Sequence, residues 1–155
     1  MASQQVLVLG LGNLLMGDEG VGVHALQSLR TDKWPSNVVL VDGGGGTFHL
    51  LARFRDFERL VVIEGVEDGL APGTVSLLSP LDPERLPAVL ERHDVGLRDL
   101  VESAALLGPL PEIDLISVSI GEALWFSTTL SPAVAGAIPR VGDLVRQRVG
   151  IRRPS

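Results

Sequence analysis

Short runs of branched and aliphatic residues recur along the chain at Val6–Leu9, Val38–Val41, Leu60–Ile63 and Ile113–Val118. Each is apolar at nearly every position, the pattern of strands buried on both faces of a parallel sheet. Between these runs the apolar residues fall at helical spacing. Val21, Ala25, Leu26 and Leu29 share one helical face. Leu97, Leu100, Val101 and Ala104 share another, in a helix that Gly108-Pro109 brings to an end. A last helix is predicted from Ser131-Pro132, a capping residue followed by proline at the first helical position. It carries Val134, Ile138, Val141 and Val145, and Pro139 inside it predicts a kink or a broken first turn. Pro72-Gly73-Thr74 reads as a turn into a short strand, Val75–Leu78. That strand follows the third run too closely for a helical crossover, so an antiparallel edge position is expected. Ser79 to Pro87 holds three prolines and reads as irregular or a short helix. The alternation predicts an α/β fold, a three-layer sandwich around a mostly parallel, twisted central sheet of about five strands. No repeat or linker divides the 155 residues, so residues 1–155 are expected to form a single domain.

Charge and composition narrow the chemistry. Lys and Arg number 13 against 19 Asp and Glu, a net charge of −6, which argues against a nucleic-acid partner. No stretch reaches the length of a membrane span, and the N-terminus lacks the basic region of a leader, so a cytoplasmic protein with no membrane partner is expected. With no cysteine, a thiol nucleophile, a disulfide framework and thiolate metal sites are excluded. A metal site must use Asp, Glu or one of three histidines, His24, His49 and His93.

In open α/β sheets ligands bind beyond the carboxyl ends of the strands. Gly10 to Glu19 follow the first run, Asp42 and four glycines the second, and Glu64 the third; His93 precedes the helix expected near Gly96. Gly10-Leu11-Gly12 hints at a dinucleotide loop, but the position for its last glycine is Leu15. Asp18 and Glu19 also stand where a phosphate would need free N–H groups. This acidic pair reads as helix capping or as part of a ligand site, with glycines at 10, 12, 17, 20 and 22 allowing close approach. Asp42 with Gly43–Gly46 reads as a flexible loop, an anion nest or a track for an extended peptide. Glu64 is a rim carboxylate bonded to a loop or an expensively buried one. If Glu19, Glu64 and His93 meet, two carboxylates and an imidazole make an open site for a divalent first-row metal. His24 is expected within the first helix, packed or solvent-facing, and His49 after the glycine loop. The serine-elbow pattern G-x-S-x-G is absent.

The stretch GLGNLLMGDEGVGVHA, residues 10–25, resembles the opening signature of the hydrogenase maturation proteases. The resemblance continues at Asp42-Gly43-Gly44, at Glu64 to Gly69 running into Pro72-Gly73-Thr74, at His93 to Leu97, and in the final strand and the Ser131-Pro132 helix. These are cytoplasmic endopeptidases that trim the C-terminal extension from the large subunit of nickel–iron hydrogenases. The resemblance implies a three-layer α/β fold and a metal-binding set of Glu19, Glu64 and His93. The implied ion is nickel presented by the large-subunit precursor, with another divalent metal able to stand in for it in vitro. The base for peptide hydrolysis would be Asp42 or Asp18, in an aspartic-type or a metal-assisted mechanism. Two departures stand out: the family usually has Asp at the position of Glu64, and Gly45 and Thr47 exchange the family's usual Thr and Gly. The longer side chain of Glu64 leaves a second reading, a non-catalytic sensor of nickel loading.

Overall fold

The computed structural model describes residues 4–43, 53–79, 95–122 and 126–150. Five strands form one sheet in the order β2-β1-β3-β5-β4. They are β1 (Val6–Gly10), β2 (Val38–Asp42), β3 (Arg59–Val66), β4 (Val75–Leu78) and β5 (Glu112–Ser119). β1 pairs in parallel with β2 and β3, and β3 with β5; β4 alone runs antiparallel, on β5 at the edge. The helices are α1 (Val21–Leu29), α2 (Val95–Leu107), α3 (Pro132–Ala135) and α4 (Ile138–Arg148).

The expected three layers follow from how each strand divides its side chains. On one face Val6, Val8, Val61 and Ile63 pack with Val21, Leu26, Val134, Val141 and Val145, so α1, α3 and α4 cover it. On the other Leu7, Leu9, Leu60 and Val62 pack with Leu97, Leu100, Val101 and Ala104 of α2. The antiparallel edge strand and the break near Pro139 are both present. The last helical segment is two helices, and Pro139 sits in the opening turn of the second, where its missing N–H costs no hydrogen bond. Two expectations change. β3 continues past Ile63 to Val66, because Gly65 and Val66 keep pairing with Val118 and Ser119, so Glu64 lies inside the strand. Ser131 occupies the N-cap position of α3 but makes no side-chain cap. The irregular stretch after Ser79 lies outside the described residues, as do Gly44–Gly46, His49 and His93. Among the described residues no helix is long and apolar enough to cross a membrane.

The end of the sheet opposite the strands' carboxyl termini is closed by a buried carboxylate. Asp114 accepts hydrogen bonds from Arg59 (2.8 Å), from Arg148 Nε (2.9 Å) and from the Ser79 hydroxyl. One side chain thus ties β3, the end of α4 and the residue after β4 to β5.

Glycines set how α1 sits at the other end. A Cβ on Gly22 would overlap the carbonyl oxygens of Leu11 and Ile63, and one on Gly10 would overlap the Gly22 carbonyl. Helix and strands meet here backbone to backbone. Gly22→Ala should therefore destabilise the fold by about 3 kcal/mol, the upper range for overpacking, measured by urea denaturation. A loss below about 0.5 kcal/mol, the size of an ordinary surface substitution, would mean the contact is not tight.

Candidate active site

The sheet topology places a crevice at the carboxyl ends of β1 and β3. The chain leaves β1 for β2 on one side, while β3 lies on the other, and such reversal points are where open α/β sheets bind ligands. Leu11 N–H bonds to the Ile63 carbonyl (2.9 Å) and Gly43 N–H to the Gly10 carbonyl (2.9 Å), so β1 anchors both neighbours at this rim.

Asp18 and Glu19 occupy a 3-10 turn, Gly17–Gly20, just ahead of α1. Both acids stand in the first turn of this 3-10 helix, as the capping reading has it, but neither makes a side-chain cap, and Gly20 is the N-cap of α1. The turn lies close over β3, since a Cβ on Gly65 would stand 3.3 Å from the Asp18 carbonyl oxygen. Gly12, at φ +134°, lets the loop fold back until a Cβ there would overlap the Glu19 carbonyl. The turn that carries Glu19 thus lies against β3 at Gly65 on the α1 side of the sheet. Glu64 is 2% exposed, and strand alternation puts it on the α2 face behind Leu60 and Val62. Of the two readings of this residue, the buried one describes it. A carboxylate in such surroundings is costly unless paired or bound to a metal.

The two candidate bases have different settings. Asp18 Oδ1 accepts from Ser131 N–H and Oδ2 from the Ser131 hydroxyl, both at 2.7 Å. This carboxylate brackets the turn before α1 to the start of α3, and it takes up the hydroxyl that would otherwise cap α3. Asp42 ends β2 opposite Gly10. Val39 and Val41 pack toward the α2 side, so alternation turns Asp42 to the α1 side. It stands two strands from Glu64, about 9–10 Å across the sheet at ordinary strand spacing.

His24 lies in α1 as expected, half-buried, with its Nε2 covered and without a hydrogen-bond partner. Among the described residues no three His, Asp or Glu side chains form a group that could hold a metal ion. The rim supplies Glu19 and Glu64, and the third expected ligand, His93, lies outside the described residues. The described chain resumes at Val95 with α2, whose buried face packs on the side of the sheet that carries Glu64.

The HycI hydrogenase maturation protease family model matches residues 23–148. The chain belongs to the hydrogenase maturation protease family. It is 35% identical over 152 residues to the hydrogenase expression/formation protein HupD of Rhodobacter capsulatus, covering 93% of this chain and 71% of that one. It is 37% identical over 135 residues to HupD of Thiocapsa roseopersicina, covering 84% of this chain and 61% of the relative. Among solved structures it is similar to the hydrogenase maturating endopeptidase HybD from E. coli, with a TM-score of 0.81 and 29% identity over 94% of this chain and 92% of that one. The mixed five-stranded sheet with helices on both sides is the fold of this family of hydrolases.

The bracket at Asp18 is testable by substitution. Asp18→Ala should destabilise the protein by about 2 kcal/mol, the range for hydrogen bonds to a charged group. Asp18→Asn, which can still accept from Ser131 N–H, should keep at least half of that. Thermal and urea unfolding of the two variants checks this. Equal stability of both variants and wild type would mean the carboxylate holds nothing.

Proposed function

We propose that the chain is an endopeptidase that removes the C-terminal extension of a nickel-loaded hydrogenase large-subunit precursor. Glu19, Glu64 and His93 grip the nickel carried by the substrate, and Asp42 acts as general base. The observation that supports this most directly is that the Glu19 turn and the buried Glu64 both stand at the carboxyl end of β3, the turn over Gly65 and Glu64 one residue before it. Two carboxylates on adjoining segments at a topological crevice suit a first-row divalent ion. His93 precedes α2 by two residues, and α2 covers the face of Glu64, which makes a third ligand from that segment reasonable. No residue of the chain forms a self-sufficient nucleophile or zinc motif, so an ion brought by the substrate completes the site.

In this reading the precursor's ion fixes the chain over the rim, and the scissile peptide lies between the metal ligands and Asp42. Asp42 takes a proton from an attacking water as oxygen adds to the peptide carbonyl carbon. The C–N bond then breaks and the proton passes to the departing amine. The substrate's nickel, close to the carbonyl, can stabilise charge on its oxygen. In this reading Asp18, whose two oxygens accept from Ser131, holds the loop, and Asp42 is taken as the base for its place at the carboxyl end of β2. The resemblance to cytoplasmic enzymes supports a cytoplasmic setting for the reaction.

The test is cleavage of purified precursor, with and without nickel, read by mass spectrometry. Wild type should release the C-terminal peptide only from loaded precursor. Glu19→Gln, Glu64→Gln and His93→Ala should each lower the rate at least a hundredfold, the scale of losing an electrostatic contact to the reacting assembly. All should keep the wild-type circular dichroism spectrum. Equal cleavage of nickel-free precursor would overturn recognition through the metal. Binding of loaded precursor without cleavage would favour a non-catalytic sensor.

A further inference from the structure

Two large apolar side chains are exposed where the rim loops meet. Leu15 is 56% exposed and Phe126 is 87% exposed. They lie on loops joined by a parallel bridge, Met16 with Ser127, and by a hydrogen bond from Gly17 N–H to the Ser127 carbonyl (2.7 Å). Leu15 and Phe126 are the residues immediately before the two bridge partners, so the pairing sets them in neighbouring positions. The Leu15 N–H is itself held by Asn13 Oδ1 at 2.9 Å.

The conformation of Phe126 is unusual as well. Its φ is +59°, the one positive value outside glycine among the described residues. For a bulky L-residue this is a strained, rarely occupied state that persists only where the surroundings enforce it. Those surroundings are present. Ser127 is pinned to Met16 and Gly17, and four residues later Ser131 is pinned to Asp18 by two hydrogen bonds. The fold spends backbone strain to hold an aromatic ring outward, on the loop bracketed to the turn that carries Glu19.

We infer that Leu15 and Phe126 form an apolar ledge that receives an apolar residue of the precursor's polypeptide next to its metal-bearing part. The inference rests on the endopeptidase reading of the rim, which requires a polypeptide to lie across it. The ledge is continuous with that site: Leu15 is four residues before Glu19 on the same loop. Beside Asp18 and Glu19, such a ledge gives a peptide an apolar contact that carboxylates cannot. It makes Phe126 a specificity-determining residue, acting on substrate affinity and not on the chemical step.

Phe126→Gly is the discriminating variant, because it removes the ring and relieves the positive φ together. Binding of purified nickel-loaded precursor to the immobilised protein, measured by biolayer interferometry, should weaken roughly tenfold or more for an aromatic anchor of this kind. Where the precursor is cleaved, the loss should fall on KM and not on kcat. A binding loss without a lowered melting temperature marks a surface role, whereas a structural role for the ring would lower it. Phe126→Tyr should retain near-wild-type affinity, and Leu15→Ala should weaken binding in the same direction as Phe126→Gly. Unchanged affinity in Phe126→Gly, or a loss matched by a lowered melting temperature, would overturn the ledge. Wild type that binds loaded precursor without cutting it would overturn the endopeptidase reading alone, and the binding comparison would still decide the ledge. Wild type that binds no precursor would overturn both.

Discussion

Everything at the functional end of this molecule depends on how closely α1 and the turn before it approach β1 and β3. Side chains normally keep a helix about 10 Å from a sheet; here Gly10 and Gly22 bring backbone against backbone. The same closeness continues along the loop, where Gly12 lies under the Glu19 carbonyl and Gly65 beneath the Asp18 carbonyl. A glycine-dense loop at a sheet's carboxyl edge suggests a cradle for a ligand. In this chain most of those glycines are filled by the protein's own main chain. Their product is position: Glu19 is carried to β3, one residue from the buried Glu64.

A carboxylate near the end of a central strand, against the apolar face under α2, loses most of its solvation. A protein keeps such a group when a cation or a strong donor compensates it. In the proposed function a cation arriving with the substrate would add to the interactions Glu64 already makes, and its burial would then become part of specificity. Asp18 has the complementary role. It is committed to Ser131 and fixes the geometry of the turn that carries Glu19.

Much of this was legible in the sequence, for physical reasons that differ by residue. The continuous apolar runs marked the strands because a sheet covered on both faces admits few polar positions. The faces of α1 and α2 were legible because helical spacing survives any loop chemistry. The end of β3 was not, because Glu64 interrupts the apolar run while backbone pairing to β5 carries on through Val66. The roles of the glycines were half legible: a missing side chain shows in sequence, but what fills its place does not. The Asp18–Ser131 bracket joins residues 113 positions apart and has no local signature. Phe126 gave no signal either, since its left-handed backbone is imposed by the Ser127 pairing and not by its own preference. Glu19 and Glu64 emerged from motif and rim position together, and the fold adds the contact between their segments.

The central claim is that Glu19 and Glu64 belong to one metal-gripping site that a substrate's ion completes. Anomalous diffraction from crystals soaked in nickel tests it most directly, because it locates the ion without any cleavage assay. A shared site gives a single strong peak at the carboxyl ends of β1 and β3, with oxygens of both Glu19 and Glu64 about 2.0–2.2 Å away and an imidazole nitrogen of His93 completing the set. A peak elsewhere on the molecule, with Glu64 still buried and Glu19 turned away from it, would contradict the account.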